Sequence, residues 1–138
     1  MSHPLHPALV HFPIASWSLA TAADLLGLVI GAPAWQFAGL LHAIGTVSAL
    51  VAMAAGFADL LALPPEHPAL RDAQHHLLWV SLAWSAYAAS LLLRLDGLSL
   101  RTPDAWALAL SVAGFAALAV AGWLGGRLVY EHGLRVRR

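Results

Sequence analysis

Eight histidines stand in a chain that has neither cysteine nor lysine. Without cysteine there are no disulfides, thiolate nucleophiles, iron–sulfur clusters or Cys-ligated zinc. Without lysine there is no Schiff-base chemistry. Imidazole is what remains, and two copies open the first apolar segment, in Leu5-His6-Pro7-Ala8-Leu9-Val10-His11-Phe12-Pro13-Ile14. An ionisable side chain at membrane depth is a functional-site hypothesis in its own right. From a rise of ~1.5 Å per residue, His11 sits about one turn inside the first helix, and His75 and His76 nearly two turns inside the third. Two imidazoles across a pocket are what a b-type haem needs as axial ligands. His11 with His75 or His76 is the leading pair, and His132 is a spare. Arg71 and Arg127 are spaced to meet the propionates, and Asp59 to accept the other ring N–H of a ligand. A bare ion is the alternative: His11, His75, His132 and Asp59 form an N/O set acceptable to zinc, copper or nickel.

The elements that position these groups follow from composition. Of 138 residues, 60% are apolar and 10% charged, against about a quarter charged in soluble domains. The apolar residues come in long runs, so one transmembrane domain, 1–138, is expected. Four helices are predicted over about 8–30, 35–61, 69–95 and 104–130. They are punctuated by Gly31-Ala32-Pro33-Ala34, by Leu63-Pro64-Pro65-Glu66-His67-Pro68, and by Asp96-Gly97 through Pro103. Asp104 can cap the fourth helix and Gly133 can stop it. Connections this short predict an all-α, up-down-up-down four-helix bundle, in which the first and third helices are diagonal partners facing one central pocket. The N-terminus lacks the charged start of a signal peptide, so the first helix is expected to persist. Zero net charge without a basic patch argues against nucleic acid.

Arginine sets the orientation. Arg71, Arg127, Arg135, Arg137 and Arg138 fall on the face of the termini, and Arg94 and Arg101 on the other, which puts both termini in the cytoplasm. Alternating helix directions bring every histidine but His42 to the terminal face. His3, His6 and His67 each precede proline in connections and read as solvated or interfacial rather than liganding. His75 and His76 point about 100° apart, so only one faces the pocket. His132 at a helix end also suits the last carbonyls. In the opposite half, Asp24 and His42 lie about 10 Å deep on adjacent helices. A buried Asp–His hydrogen bond is the simpler account of that pair, and a proton-relay step the sharper one. His6-Pro7-Ala8-Leu9 recurs as His67-Pro68-Ala69-Leu70, a weak echo of a duplicated helix pair. Glycines such as Gly45, Gly56, Gly122, Gly125 and Gly126 let helices approach closely in lipid.

His6-Pro7-Ala8-Leu9-Val10-His11-Phe12-Pro13 resembles the start of the bacterial membrane family DUF2231. Gly125-Gly126-Arg127-Leu128-Val129-Tyr130-Glu131-His132-Gly133 resembles its ending, although Arg135 stands where that pattern continues with a small residue. Asp24, the run ending at Asp59 and the Arg71-to-His75 region also fit. The resemblance spans nearly the whole chain. It implies a small four-helix inner-membrane protein, directs attention to His11, Asp59, His75 and His132, and carries no particular activity.

The expected function is a haem b protein for electron transfer or redox sensing, exchanging electrons with a redox partner or quinone in the lipid bilayer. Transition-metal binding or transport is second, and a cofactor-free subunit or proton path third. Classical hydrolase chemistry is not expected, because no serine sits in a nucleophile elbow, and an enzymatic role would be that of a membrane oxidoreductase component. A homo-oligomer is compatible with the small-residue faces.

Overall fold

The computed structural model describes residues 5–134; His3, Arg135, Arg137 and Arg138 lie outside them. Helices α1 (Leu5–Leu9) and α2 (His11–Ile30) form one span with a turn at Val10. Pro13 explains the interruption, since it has no N–H to give the Leu9 carbonyl and its ring crowds that oxygen. Flanking bonds from Val10 N–H to the His6 carbonyl and from Ile14 N–H to the Val10 carbonyl, both 3.1 Å, carry the helix through. Three further helices follow, α3 (Ala32–Leu61), α4 (Leu70–Arg94) and α5 (Ala105–Tyr130). With lengths of 25, 30, 25 and 26 residues, the four spans are each long and apolar enough to cross a membrane. The chain is an all-α membrane protein.

Local chemistry fixes the ends. Gly31, at φ 78°, alone separates α2 from α3. The second long helix therefore starts at Ala32 rather than Trp35, because Pro33 fits a helix's first turn, where its missing N–H costs nothing. The third turn holds a small hairpin, β1 (Leu95–Asp96) with β2 (Ser99–Leu100), turned at Gly97 with φ 60°. Its Leu100 side chain rests on Gly39 of α3. Asp104 caps α5 by accepting the Ala107 N–H at 2.8 Å. At the far end Gly133, φ 63°, lets the Leu134 N–H reach back to the Leu128 carbonyl at 3.0 Å.

Two helical hairpins make up the molecule. In the first, Asp24 meets His42, Trp17 meets Gly45 and His6 meets Ala52. In the second, Ser90 meets Ala107, Tyr87 meets Gly114 and His76 meets Ala121. Residue numbers fall on one helix as they rise on the other, the order that antiparallel neighbours give. Between the hairpins the Trp17 and Tyr87 rings stack, centroids 4.7 Å apart and planes within 7°, with Ala49 beside them. Large apolar side chains such as Val47, Leu92 and Trp106 point outward. In water such a surface would be an aggregation liability, whereas against acyl chains it is neutral.

Close approach at Gly45 is required rather than incidental. A Cβ there would stand 2.5 Å from Cδ1 of Trp17, whose indole is 1% exposed and has nowhere to move. Gly45→Ala is expected to cost about 1–3 kcal/mol through overpacking, measured as the unfolding midpoint in detergent. Gly122→Ala, with open space around the added methyl, is the control and should leave the midpoint unchanged.

Candidate functional site

Toward the end of the bundle that carries the start of α1 and the end of α5, the hairpins part around a cavity of about 540 Å³. Its wall is apolar, with Val10, Met53, Leu77 and Leu118 among its residues, and its polar side chains include His6, His76 and Asp59. Each hairpin contributes one histidine, held in the same way. His6 Nδ1 lies 2.8 Å from the Ala52 carbonyl, and His76 Nδ1 lies 2.8 Å from the Ala121 carbonyl. A carbonyl only accepts, so both Nδ1 atoms carry the proton and both Nε2 lone pairs are left available on the neutral rings. Four residues beyond each alanine is a glycine that makes room for the imidazole. A Cβ at Gly56 would stand 2.8 Å from Cε1 of His6, and one at Gly125 would stand 3.2 Å from Cε1 of His76. The two rings face one another with centroids 6.3 Å apart and planes at 84°.

Several expected residues lie elsewhere. His11 is exposed, its Nδ1 turned back to the Ala8 carbonyl at 3.3 Å. His6, which reads as interfacial in the sequence, takes the inward position instead. The helix already starts at Leu5, so His6 is on it, and the five residues to His11 rotate the side chain by about 140°. His75 and Arg71 are exposed as well, and His76 alone of its pair reaches the cavity. The signal for His6 was available in the spacing. Val10, Pro13 and Trp17 share the cavity wall with it, and steps of three and four residues between them trace one helix face.

His132 and Arg127 belong to a separate cluster on the ends of α4 and α5. His132 Nε2 bonds Asp72 Oδ2 at 2.9 Å, while the Arg127 guanidinium reaches Asp72 at 3.2 Å and Glu131 at 3.0 Å. Arg127 also lies 5.2 Å over the Trp123 ring. Potential ligand atoms of Asp72, Glu131 and His132 come within 4.8 Å of one another. The Arg127 guanidinium already pairs with both carboxylates, however, and His132 with one of them, so each of these three groups has a partner within the protein. The four-residue set of His11, His75, His132 and Asp59 is not assembled: two of its members point outward and His132 is engaged with Asp72.

The opposite half holds a water-excluded polar centre. Asp24 and His42 are hydrogen bonded at 3.0 Å, both fully buried. They are not alone. Arg94, only 1% exposed, grips the Asp24 carboxylate with two nitrogens at 2.5 and 2.7 Å. By its position in the sequence Arg94 counts with Arg101 on the face away from the termini, yet the structure turns it inward. The bidentate fork instead satisfies a carboxylate that a single imidazole leaves half-paired. Nearby, the Tyr87 hydroxyl donates to the Trp17 carbonyl at 3.2 Å and shares a 2.8 Å bond with Thr21, which bonds Ser111 at 3.1 Å. Tyr87→Phe is expected to cost about 1 kcal/mol, the net worth of a buried hydrogen bond when Thr21 retains another partner. The same detergent unfolding series would measure it.

A model of one protein family, described as predicted membrane protein (DUF2231), matches residues 2–138. No curated protein and no solved structure matches the chain.

Proposed function

The chain belongs to the DUF2231 family of predicted membrane proteins, and we propose that it is a haem b electron carrier with His6 and His76 as the axial ligands. The observation that carries this reading is the spacing of the two imidazoles. Two imidazoles would hold one iron only if they reach the same cavity within a few ångströms of each other. His6 and His76 are at 6.3 Å. Their Nδ1–H bonds to backbone carbonyls are the outer partners that fix tautomer and raise ligand basicity. The glycines at 56 and 125 leave the rings seated, and the cavity volume falls in the range of small-molecule and cofactor sites.

Haem supplies a one-electron couple when bound; the protein supplies orientation and exclusion of water. Held by both histidines, such a haem would suit exchange of electrons better than binding of a gas or substrate. Among the described residues, Arg127 and Arg71 are the arginines near that end for propionates, Arg127 by exchanging its present carboxylate partners. A quinone or protein partner would approach at the same end, where the site is closest to the surface. Metal-ion binding is less well supported, since Asp72 and Glu131 both already pair with Arg127 and Asp72 also with His132. Burial of Arg94 leaves Arg101 as the exposed arginine on the opposite face, which favours cytoplasmic termini in a bacterial inner membrane.

The test is an absorption spectrum of the detergent-purified protein, expressed with haem supplied, before and after dithionite. A sharp Soret band that shifts on reduction, with the split visible bands of six-coordinate haem, is expected. A sample featureless beyond the tryptophan band would overturn the proposal.

A further inference from the structure

Three of the contacts that join the two hairpins fall on matching positions. Counting from His6 in the first and His76 in the second, the stacked rings are Trp17 and Tyr87, each eleven residues on. The ion pair is Asp24 and Arg94, each eighteen on. The returning helices match too: the carbonyls that receive the imidazoles are 46 and 45 residues on. Gly45 under Trp17 corresponds to Gly114 under Tyr87. The hairpins are thus two copies of one design, related by a pseudo-twofold axis parallel to the helices, and three matched pairs meet across it. The repeat has nothing to do with the His-Pro-Ala-Leu echo, which is set sixty-one residues apart; His67 there serves a turn, accepting the Ala69 N–H at 3.1 Å.

Matched surfaces raise a problem of choice. If both halves were alike across the axis, a first hairpin could pair with another first hairpin, or a second with a second, between chains as readily as within one. Two of the three matched pairs carry no charge to prevent this: histidine faces histidine, and an aromatic faces an aromatic. The third does. A first–first pairing would oppose two Asp24 carboxylates and a second–second pairing two Arg94 guanidiniums, at a depth where each residue is no more than 1% exposed.

We propose that Asp24 and Arg94 form a pairing code, which makes the inner face of each hairpin a docking surface for the unlike hairpin only. Each charge is held ready by its own half: Asp24 by His42 Nε2 at 3.0 Å, and Arg94 by Ser90 Oγ at 3.1 Å and the Ala107 carbonyl at 3.5 Å. Stability alone is a poor reason for the pair, because well-packed apolar residues commonly serve as well as a buried ion pair. Selection among otherwise equivalent partners is a role that apolar residues cannot fill.

The experiment co-expresses two full-length copies carrying different affinity tags and measures mixed-tag protein after tandem purification. The apolar double variant Asp24→Leu/Arg94→Met is expected to stay helical while mixed-tag recovery rises roughly tenfold over the parent chain, as hairpins exchange between copies. The reversed double variant Asp24→Arg/Arg94→Asp should match the parent. Parent-level recovery from a helical apolar variant would overturn the proposal. If that variant yields no helical protein, co-expression of Asp24→Arg with Arg94→Asp decides. Only exchanged hairpins restore opposite charges there, so mixed-tag protein roughly tenfold above either variant paired with itself supports the code, and equal recovery refutes it.

Discussion

His76→Ala is expected to purify as a folded helical protein that has lost its six-coordinate haem spectrum. The ring makes one hydrogen bond to the protein, to the Ala121 carbonyl, worth about 1 kcal/mol, so the fold should survive its removal. Loss of a direct ligand should exceed the 10–100-fold effect typical of outer partners, so haem retention should fall by about two orders of magnitude or more. His6→Ala should behave alike, since the two rings are held equivalently. His11→Ala and His75→Ala should retain the spectrum, because both rings point outward. His76→Met offers a second readout: a thioether in place of one imidazole should keep a six-coordinate iron and raise its midpoint potential. The proposal fails if His11→Ala removes haem while His6→Ala retains it.

Asp24→Ala should be the most destabilising single substitution in the molecule. It leaves the Arg94 guanidinium fully buried without its counter-ion, with only Ser90 and the Ala107 carbonyl near its Nη2 and no partner at Nε among the described residues. Breaking one side of a buried pair costs about 3–5 kcal/mol, a large share of the stability a small domain has. Arg94→Ala should cost less, since His42 still bonds the carboxylate. Equilibrium unfolding in mixed micelles, followed by helicity, measures both. A loss below about 1 kcal/mol for Asp24→Ala would mean that the guanidinium reaches the membrane surface once released, by snorkelling.

Much of the architecture was legible because its causes are local. Apolar runs between proline- and glycine-rich connections were long enough to announce four spans, and Asp104 and Gly133 end α5 through bonds to residues within one or two turns. Asp24 and His42 could be paired because a short turn fixes how adjacent antiparallel helices align. The site was harder. Depth along a helix follows from counting residues, and by depth His11 looked better placed than His6. Direction follows from rotation, and there His6 shares the face of Val10, Pro13 and Trp17 while His11 does not. That information was in the spacing but was outweighed by the reading of His6-Pro7 as a connection.

The sequence by itself determined the class of protein, the number of spans and where each one stops, because apolar length, proline and glycine act within a few residues. Only the tertiary structure decided which imidazoles meet, that Arg94 turns inward to Asp24, and that the two hairpins are equivalent. Those facts depend on how far each helix is rotated about its own axis and which helices lie diagonally. Rotation is set by the sum of many small packing contacts, with Gly45 against Trp17 and Gly114 against Tyr87 among them, and no single stretch of chain encodes it.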